Sequence, residues 1–264
     1  MKKKNIKLKK FYDKVYRKGE EKHFTNLITM GKTSEEYSSI LKEIKWRNKK
    51  VIDVGCGTGY FAYQVAKKGG NVLGIDYSEE AIKIAKERYQ HPNLVYKKID
   101  VSKKIIEKFD VVVSIGTLEH MDNPFLMLKK LKKSLKQGGK IIITSPNWLN
   151  PRGYVLLTLY YLFNAPITLA DLHYLTPIEF EKWAGKMNMK IKWKTIDKSW
   201  GHGEILVKDF KRRIPNVLKD SNLQVSKKNI SNLINWIQSH VVTMDNDLPH
   251  SGATGLYVLS SKNE

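Results

Sequence analysis

Apolar and polar positions along the chain follow two periods, which alternate from residue 51 onward. Val51–Val54, Val72–Ile75, Leu94–Lys97, Val111–Ile115 and Lys140–Thr144 are short apolar-rich runs and predict strands. Tyr60–Lys68, Glu79 to about Tyr89, and Asn123-Pro124 to Lys136 carry apolar residues at helical spacing. Gly69-Gly70 and Gly138-Gly139 are expected to end the first and third of these helices, and Ser78 to cap the second. Ser34–Lys45 predicts a further helix, with Ser34 as N-cap and Tyr37, Ile40, Leu41 and Ile44 on one face. Regular strand–helix alternation implies an α/β fold with a doubly wound, mostly parallel sheet and helices on both faces.

The rhythm breaks after Ser145-Pro146. Residues 148–172 hold Trp148, Tyr154, Leu156, Leu157, Leu159, Tyr160, Tyr161, Leu162 and Phe163, which predicts an apolar helix and loop inserted after the fifth strand. Thr176-Pro177-Ile178-Glu179 supplies an N-cap, a first-turn proline and an acidic first turn for a helix to about Met187. Met189–Thr195 and Leu256–Ser260 read as the last two strands. Between them, residues 197–253 form a second insertion with a helix near Lys227–His240. The expected organisation is a basic, helical N-terminal segment over 1–45, then one domain over 46–264 with helical insertions at about 148–173 and 197–254.

Composition narrows the picture. A chain of 264 residues can bury a full core. No apolar run is long enough to span a bilayer, and the basic N-terminus is not followed by the apolar stretch of a secretion signal. The single cysteine, Cys56, cannot form an internal disulfide, so the expected location is the cytoplasm. Residues 1–22 carry ten basic and three acidic side chains, with Phe11, Tyr12, Val15 and Tyr16 grouped at helical spacing. The formal charge of +21 invites a nucleic-acid partner. Its excess is lysine spread along the whole chain, with no arginine cluster interleaved with aromatics, and the preferred reading is a compositional bias.

Candidate chemistry gathers at Val51–Gly59. A buried strand, Val51–Val54, apolar except for Asp53, runs into Gly55, Gly57 and Gly59, and a helix starts at Tyr60. Glycines there bare the backbone N–H groups of a helix N-terminus to a nucleotide-like ligand. The glycine pattern alone fits NAD, FAD or S-adenosylmethionine, and Ala62 falls where a dinucleotide site wants glycine or alanine. Asp76, about 20 residues on, can accept both ribose hydroxyls in any of these. The discriminating features are Ile99-Asp100-Val101 and the stretch from Phe109-Asp110 to Glu119-His120.

Asp-Val-Gly-Cys-Gly-Thr-Gly (53–59), Gly-Ile-Asp-Tyr-Ser (74–78), Asp100, Phe-Asp-Val-Val-Val-Ser (109–114), Leu-Glu-His-Met (118–121) and Leu-Lys-Gln-Gly-Gly-Lys-Ile-Ile-Ile (135–143) together resemble class I S-adenosylmethionine-dependent methyltransferases. Within them the chain looks most like the ubiquinone-biosynthesis O-methyltransferase type, the methyltransferase type 11/12 group; His173-Tyr-Leu-Thr-Pro-Ile-Glu-Phe also matches. The resemblance spans roughly residues 46–196 and implies a seven-stranded Rossmann-like sheet. It implies that Gly55, Cys56, Gly57 and Gly59 carry the methionine part of S-adenosylmethionine, with Asp53 organising the loop. Asp76, beside Tyr77, would take the ribose, and Asp100 and the Val101 N–H the adenine. The Ile115–Leu118 stretch, including Thr117 and Leu118, would wall the cofactor. S-adenosylhomocysteine would be the product. Cys56 itself reads as a small packed loop residue.

Methyl transfer to a hydroxyl or amine calls for a nearby base. His120 and His173 are the catalytic candidates, each with a structural alternative. His202 and His250 read more simply as loop histidines. Relatives that bind a divalent metal use Glu-x-x-Glu-His at this place; here the first position is Gly116, so no metal is expected. The expected acceptor is a small molecule, aromatic or lipid-like. The apolar helix is open to three readings: a wall of the acceptor pocket, a peripheral membrane contact, or a helix buried against the sheet edge or between copies. An RNA methyltransferase or RNA-binding protein is the alternative function. It is disfavoured because Ser145-Pro146-Asn147 is not the Asn/Asp-Pro-Pro-Tyr/Phe sequence of base-amino methyltransferases.

Overall fold

The structure, a computed structural model, describes residues 14–16, 35–101, 107–168, 171–197, 203–242 and 250–262. It divides into two compact units. The first comprises residues 1–145, 178–193 and 256–264, and the second residues 146–177 and 194–255.

The first unit is a seven-stranded sheet. Its strands are β1 (Lys50–Val54), β2 (Asn71–Asp76), β3 (Leu94–Lys98), β4 (Phe109–Ile115), β5 (Leu135–Pro146), β6 (Met189–Ile196) and β7 (Thr254–Ser261), in the order β3-β2-β1-β4-β5-β7-β6. The pairings β3–β2, β2–β1, β1–β4 and β4–β5 are all parallel. Val51, Ile52 and Val54 of β1 and Val111, Val112 and Val113 of β4 are buried, as expected for central strands covered on both faces. Strand order grows outward from β1 through β2 and β3, then restarts at β4. Right-handed crossovers therefore send the helices after β1 and β2 to one face and the later connection to the other. The reversal leaves a crevice between the C-terminal ends of β1 and β4.

Helices α1 (Glu35–Lys42), α2 (Tyr60–Lys67), α3 (Glu79–Arg88), α4 (Pro124–Lys133) and α6 (Pro177–Lys186) complete this unit. Ser78 caps α3 by accepting from the Ala81 N–H, and Asn123 caps α4 by accepting from Leu126. The N-cap expected at Ser34 lies outside the described residues, as do Phe11 and Tyr12. Helix α1 stops three residues short of the expected end, and the Trp46 indole N–H closes the turn on the Leu41 carbonyl at 2.9 Å. Gly138-Gly139 requires a correction. Helix α4 ends at Lys133, and both glycines lie inside β5. The β4–β5 register jumps there from Phe109↔Leu135 to Val111↔Lys140, a bulge in which Gly138 takes φ +71°. A Cβ on Gly139 would lie 3.0 Å from the Asp110 carbonyl oxygen, so the close approach to β4 requires glycine.

The second unit holds α5 (Pro151–Phe163), α7 (Gly203–Asp220) and α8 (Lys227–Trp236), the last running on into a π turn over Ile237–Val241. Helix α7 was not expected from the sequence. Its buried face includes Leu206, Phe210, Ile214 and Val217, which pack with Trp148, Leu156 and Ile167 in the core of this unit. Each such fully buried large side chain contributes about 1.5–3 kcal/mol. Helix α5 shares that core through Leu156, while Tyr161, Leu162 and Phe163 at its C-terminal end are exposed.

Candidate active site

The C-terminal end of β1 is tied down by backbone hydrogen bonds before any ligand is considered. The N–H groups of Gly55 and Cys56 both donate to the Ile75 carbonyl, at 2.8 and 3.0 Å. The next N–H, of Gly57, donates to Asp76 Oδ2 at 3.0 Å, and the Ser78 N–H donates to Asp76 Oδ1 at 2.9 Å. The acid at the end of β2 thus links the glycine turn to the start of α3.

Two of the glycines have a clear steric reason. Gly55 has φ +78°, and a Cβ there would lie 2.6 Å from Thr117 Oγ1. Gly59 has φ +86°, and its Cβ would lie 2.5 Å from the Tyr96 hydroxyl. Both meet a neighbour inside van der Waals range and adopt a backbone conformation that L side chains avoid. Thr117 follows β4, and its side chain lies against Gly55 at the end of β1. Tyr96, buried on β3, donates to the Gly59 carbonyl at 2.8 Å. Sequence reading missed Tyr96, because nothing local in Leu94–Lys98 signals a partner on another loop.

Asp53 is 2% exposed, and its Oδ2 has no hydrogen-bond partner among the described residues. Burial, reinforced by the Asp76 charge, pushes its pKa up to about 7. Burial first, then Asp53 and Asp76, also raise the Cys56 thiol well above its ordinary range. These influences favour the neutral thiol of Cys56 over the thiolate. Tyr77 adjoins Asp76, half-buried. Asp100 and Val101 follow β3, whose path is held to β2 by the Ile99 N–H on the Asp76 carbonyl at 2.8 Å.

Beyond β4, Thr117 Oγ1 donates to the Ile115 carbonyl at 2.8 Å, and Leu118–His120 forms a 3₁₀ turn. Leu118 is fully buried, and Glu119 is 2% exposed. Ser145, at the end of β5, donates its hydroxyl to Glu119 Oε2 at 3.2 Å. A ring nitrogen of His120 lies within 4.8 Å of the Glu119 carboxylate. The structure thus groups Asp53, Gly55, Cys56, Gly57, Gly59, Asp76, Tyr77 and Thr117 around one turn, with Leu118 and His120 just past β4. His173 belongs to the second unit. His202 lies outside the described residues. His250 is half-buried, and its carbonyl accepts from Asn147 Nδ2 at 2.7 Å.

A glycine cradle, an acid at the end of β2 and a buried carboxylate oxygen with no partner among the described residues suit a nucleotide-like cofactor that also carries positive charge. The sulfonium and amino groups of S-adenosylmethionine meet that description. Comparison with known proteins agrees. Residues 45–230 match the model of a methyltransferase domain. The ubiquinone biosynthesis O-methyltransferase of Coxiella burnetii is 31% identical over 160 residues, covering 58% of this chain and 68% of the relative. Among solved structures, an S-adenosylmethionine-dependent methyltransferase from Mesorhizobium loti superposes with a TM-score of 0.53 at 13% identity, covering 85% of this chain and 95% of the other. Phosphoethanolamine N-methyltransferase 2 of Haemonchus contortus, with S-adenosyl-L-methionine, gives 0.55 at 20% identity over 86% of this chain and 52% of that one. Fold and site define a Rossmann-like methyltransferase that uses S-adenosylmethionine. The chain belongs to the methyltransferase-domain family.

Proposed function

We propose that the chain transfers a methyl group from S-adenosylmethionine to a hydroxyl or amine of a small acceptor, aromatic or lipid-like. The observation that carries this reading is the Asp53–Asp76 acid pair around the Gly55–Gly59 turn, with Glu119 and His120 directly past the neighbouring strand. The relative from Coxiella burnetii, named a ubiquinone biosynthesis O-methyltransferase, supports the acceptor class.

In this reading Asp76 accepts from the ribose hydroxyls. Asp53 and the glycine turn receive the methionine part, Asp100 and the Val101 N–H receive the adenine, and Thr117 and Leu118 line the wall. The bound cofactor supplies an electrophilic methyl on a sulfonium. That methyl would pass to the acceptor's oxygen or nitrogen, with S-adenosylhomocysteine as the product. The proton shed by the acceptor goes to a base, and His120 and His173 are the candidates. The chain's main contribution is alignment and exclusion of water.

The test is mass spectrometry of small molecules released when the purified protein is denatured, followed by calorimetry. Released S-adenosylmethionine or S-adenosylhomocysteine, with S-adenosylhomocysteine binding in the micromolar range or tighter, is expected. NAD or FAD in its place, or no binding of S-adenosylhomocysteine, overturns the reading.

A further inference from the structure

The second unit contains an arginine cluster that the cofactor site does not use. Asp209, on α7 and 4% exposed, accepts from three guanidinium groups. Arg152 Nε, at the start of α5, donates to its Oδ2 at 3.0 Å. Arg213 Nε donates to Oδ2 at 3.1 Å and its Nη2 to Oδ1 at 3.3 Å, while Arg213 Nη1 caps the Ile167 carbonyl at 3.0 Å. Arg212 Nη2 reaches Oδ1 at 3.0 Å from a side chain that is 60% exposed.

One carboxylate thus faces three positive charges. Asp171 adds a second, more diffuse negative charge near Arg152. The imbalance falls mainly on Arg152, whose side chain is only 12% exposed. Burial, and then the neighbouring Arg213 charge, depress its pKa despite Asp209. Among the described residues its ion pair employs Nε, with both terminal amino groups, the fork that grips oxyanions, outside that pair. A helix tether would need only one arginine, and two like charges held side by side away from water are costly. The Arg152 guanidinium also lies 5.2 Å over the Trp148 ring. Tyr174 packs edge-on to Trp148 at 5.0 Å, and Tyr160 to Tyr174 at 4.7 Å, so an aromatic wall adjoins the fork.

We propose that Arg152, supported by Arg213, is an oxyanion-binding site within the second unit, for a carboxylate or phosphate next to an aromatic or similarly flat body. Asp209 is the positioning residue: it holds both guanidiniums in place and neutralises part of their mutual repulsion.

The test compares 3,4-dihydroxybenzoate with catechol, two probes that differ in one carboxylate, by calorimetry on the full chain saturated with S-adenosylhomocysteine. The expected result is at least tenfold tighter binding of the carboxylate probe, with inorganic phosphate competing against it. In Arg152→Gln that preference should collapse to about twofold, while affinity for S-adenosylhomocysteine stays unchanged. The variant keeps nearly all of the net positive charge, so a preference due only to general attraction would survive in it. Should Arg152→Gln fail to fold, Arg152→Lys keeps the charge beside Asp209 and gives up the planar fork; loss of the preference is expected there too. Equal binding of both probes by the wild-type protein, or a preference that persists in a folded Arg152 variant, overturns the proposal. Absence of S-adenosylhomocysteine binding would instead count against the function proposed above, so the two failures are distinct.

Discussion

The Gly57 N–H donates to Asp76 Oδ2 at 3.0 Å, so the carboxylate proposed to meet the ribose also shapes the glycine turn. The two tasks separate on substitution. Asp76→Ala removes the ribose acceptor and also strands the Gly57 and Ser78 N–H groups. Hydrogen bonds to charged groups are worth about 1.5–3 kcal/mol each, which predicts roughly a hundredfold loss of S-adenosylhomocysteine affinity by calorimetry. The stranded donors predict a fall in melting temperature of a few degrees in the absence of ligand. Unchanged affinity would remove Asp76 from the cofactor site.

Asp53 predicts an unusual dependence of stability on pH. Its carboxyl is raised from an ordinary value near 4 to about 7 in the folded state. Between those values the folded chain holds a proton that the unfolded chain has released. The associated stability is therefore present below about pH 4 and is lost as pH rises through 7. Asp53→Asn cannot ionise and escapes that loss. Thermal melts of variant and parent should diverge in the variant's favour from pH 5 to pH 8, and a constant difference would contradict the assignment.

A cationic cofactor should draw the same carboxyl into its ionised form. Binding of S-adenosylmethionine near pH 6.5 is then accompanied by proton release. Calorimetry in buffers of different ionisation enthalpy measures it directly. A release of roughly half a proton or more is expected for the parent, and a smaller one for Asp53→Asn.

Gly59→Ala places a methyl group 2.5 Å from the Tyr96 hydroxyl at φ +86°. Strain of this kind costs about 1–3 kcal/mol. The melting temperature should drop by roughly 3–10 °C, with weaker S-adenosylhomocysteine binding. Pairing it with Tyr96→Phe, which removes the hydroxyl oxygen nearest the new methyl, should recover part of the loss.

Asp209→Asn removes the charge that offsets Arg152, Arg212 and Arg213. Burial alone would raise the Asp209 pKa; the Arg213 hydrogen bonds and charge, then Arg152 and Arg212, outweigh it and hold the carboxyl below its ordinary value. The stability it supplies is thus present above about pH 4 and lost as pH falls through the lower folded value. Breaking a buried pair on one side costs about 3–5 kcal/mol, or on the order of 10 °C in the melt at neutral pH. A shift below 2 °C would show the cluster to be energetically idle.

The cofactor turn was legible because its chemistry is local: three glycines, a preceding buried strand and an acid at the end of the next strand occupy Val51–Asp76. Elements whose form depends on distant partners were not. Gly138-Gly139 reads as a helix stop from its neighbours, yet its role is set by the carbonyl of Asp110 on the adjacent strand. Helix α7 escaped notice because its basic residues and the internal Pro215 dilute a stripe whose apolar positions gain meaning only against α5 and α8. Tyr96 and Asp209 likewise act through residues 37 and 57 positions away, or 4 positions away on a face the sequence does not reveal.

Three consecutive amide protons, those of Gly55, Cys56 and Gly57, are engaged by the end of β2 with no ligand involved. A glycine-rich loop is ordinarily expected to exchange its amides quickly with solvent deuterium. Here these three should exchange slowly in the ligand-free protein and gain little further protection on binding. The cradle is set during folding, so cofactor turnover does not wait on the ordering of this loop.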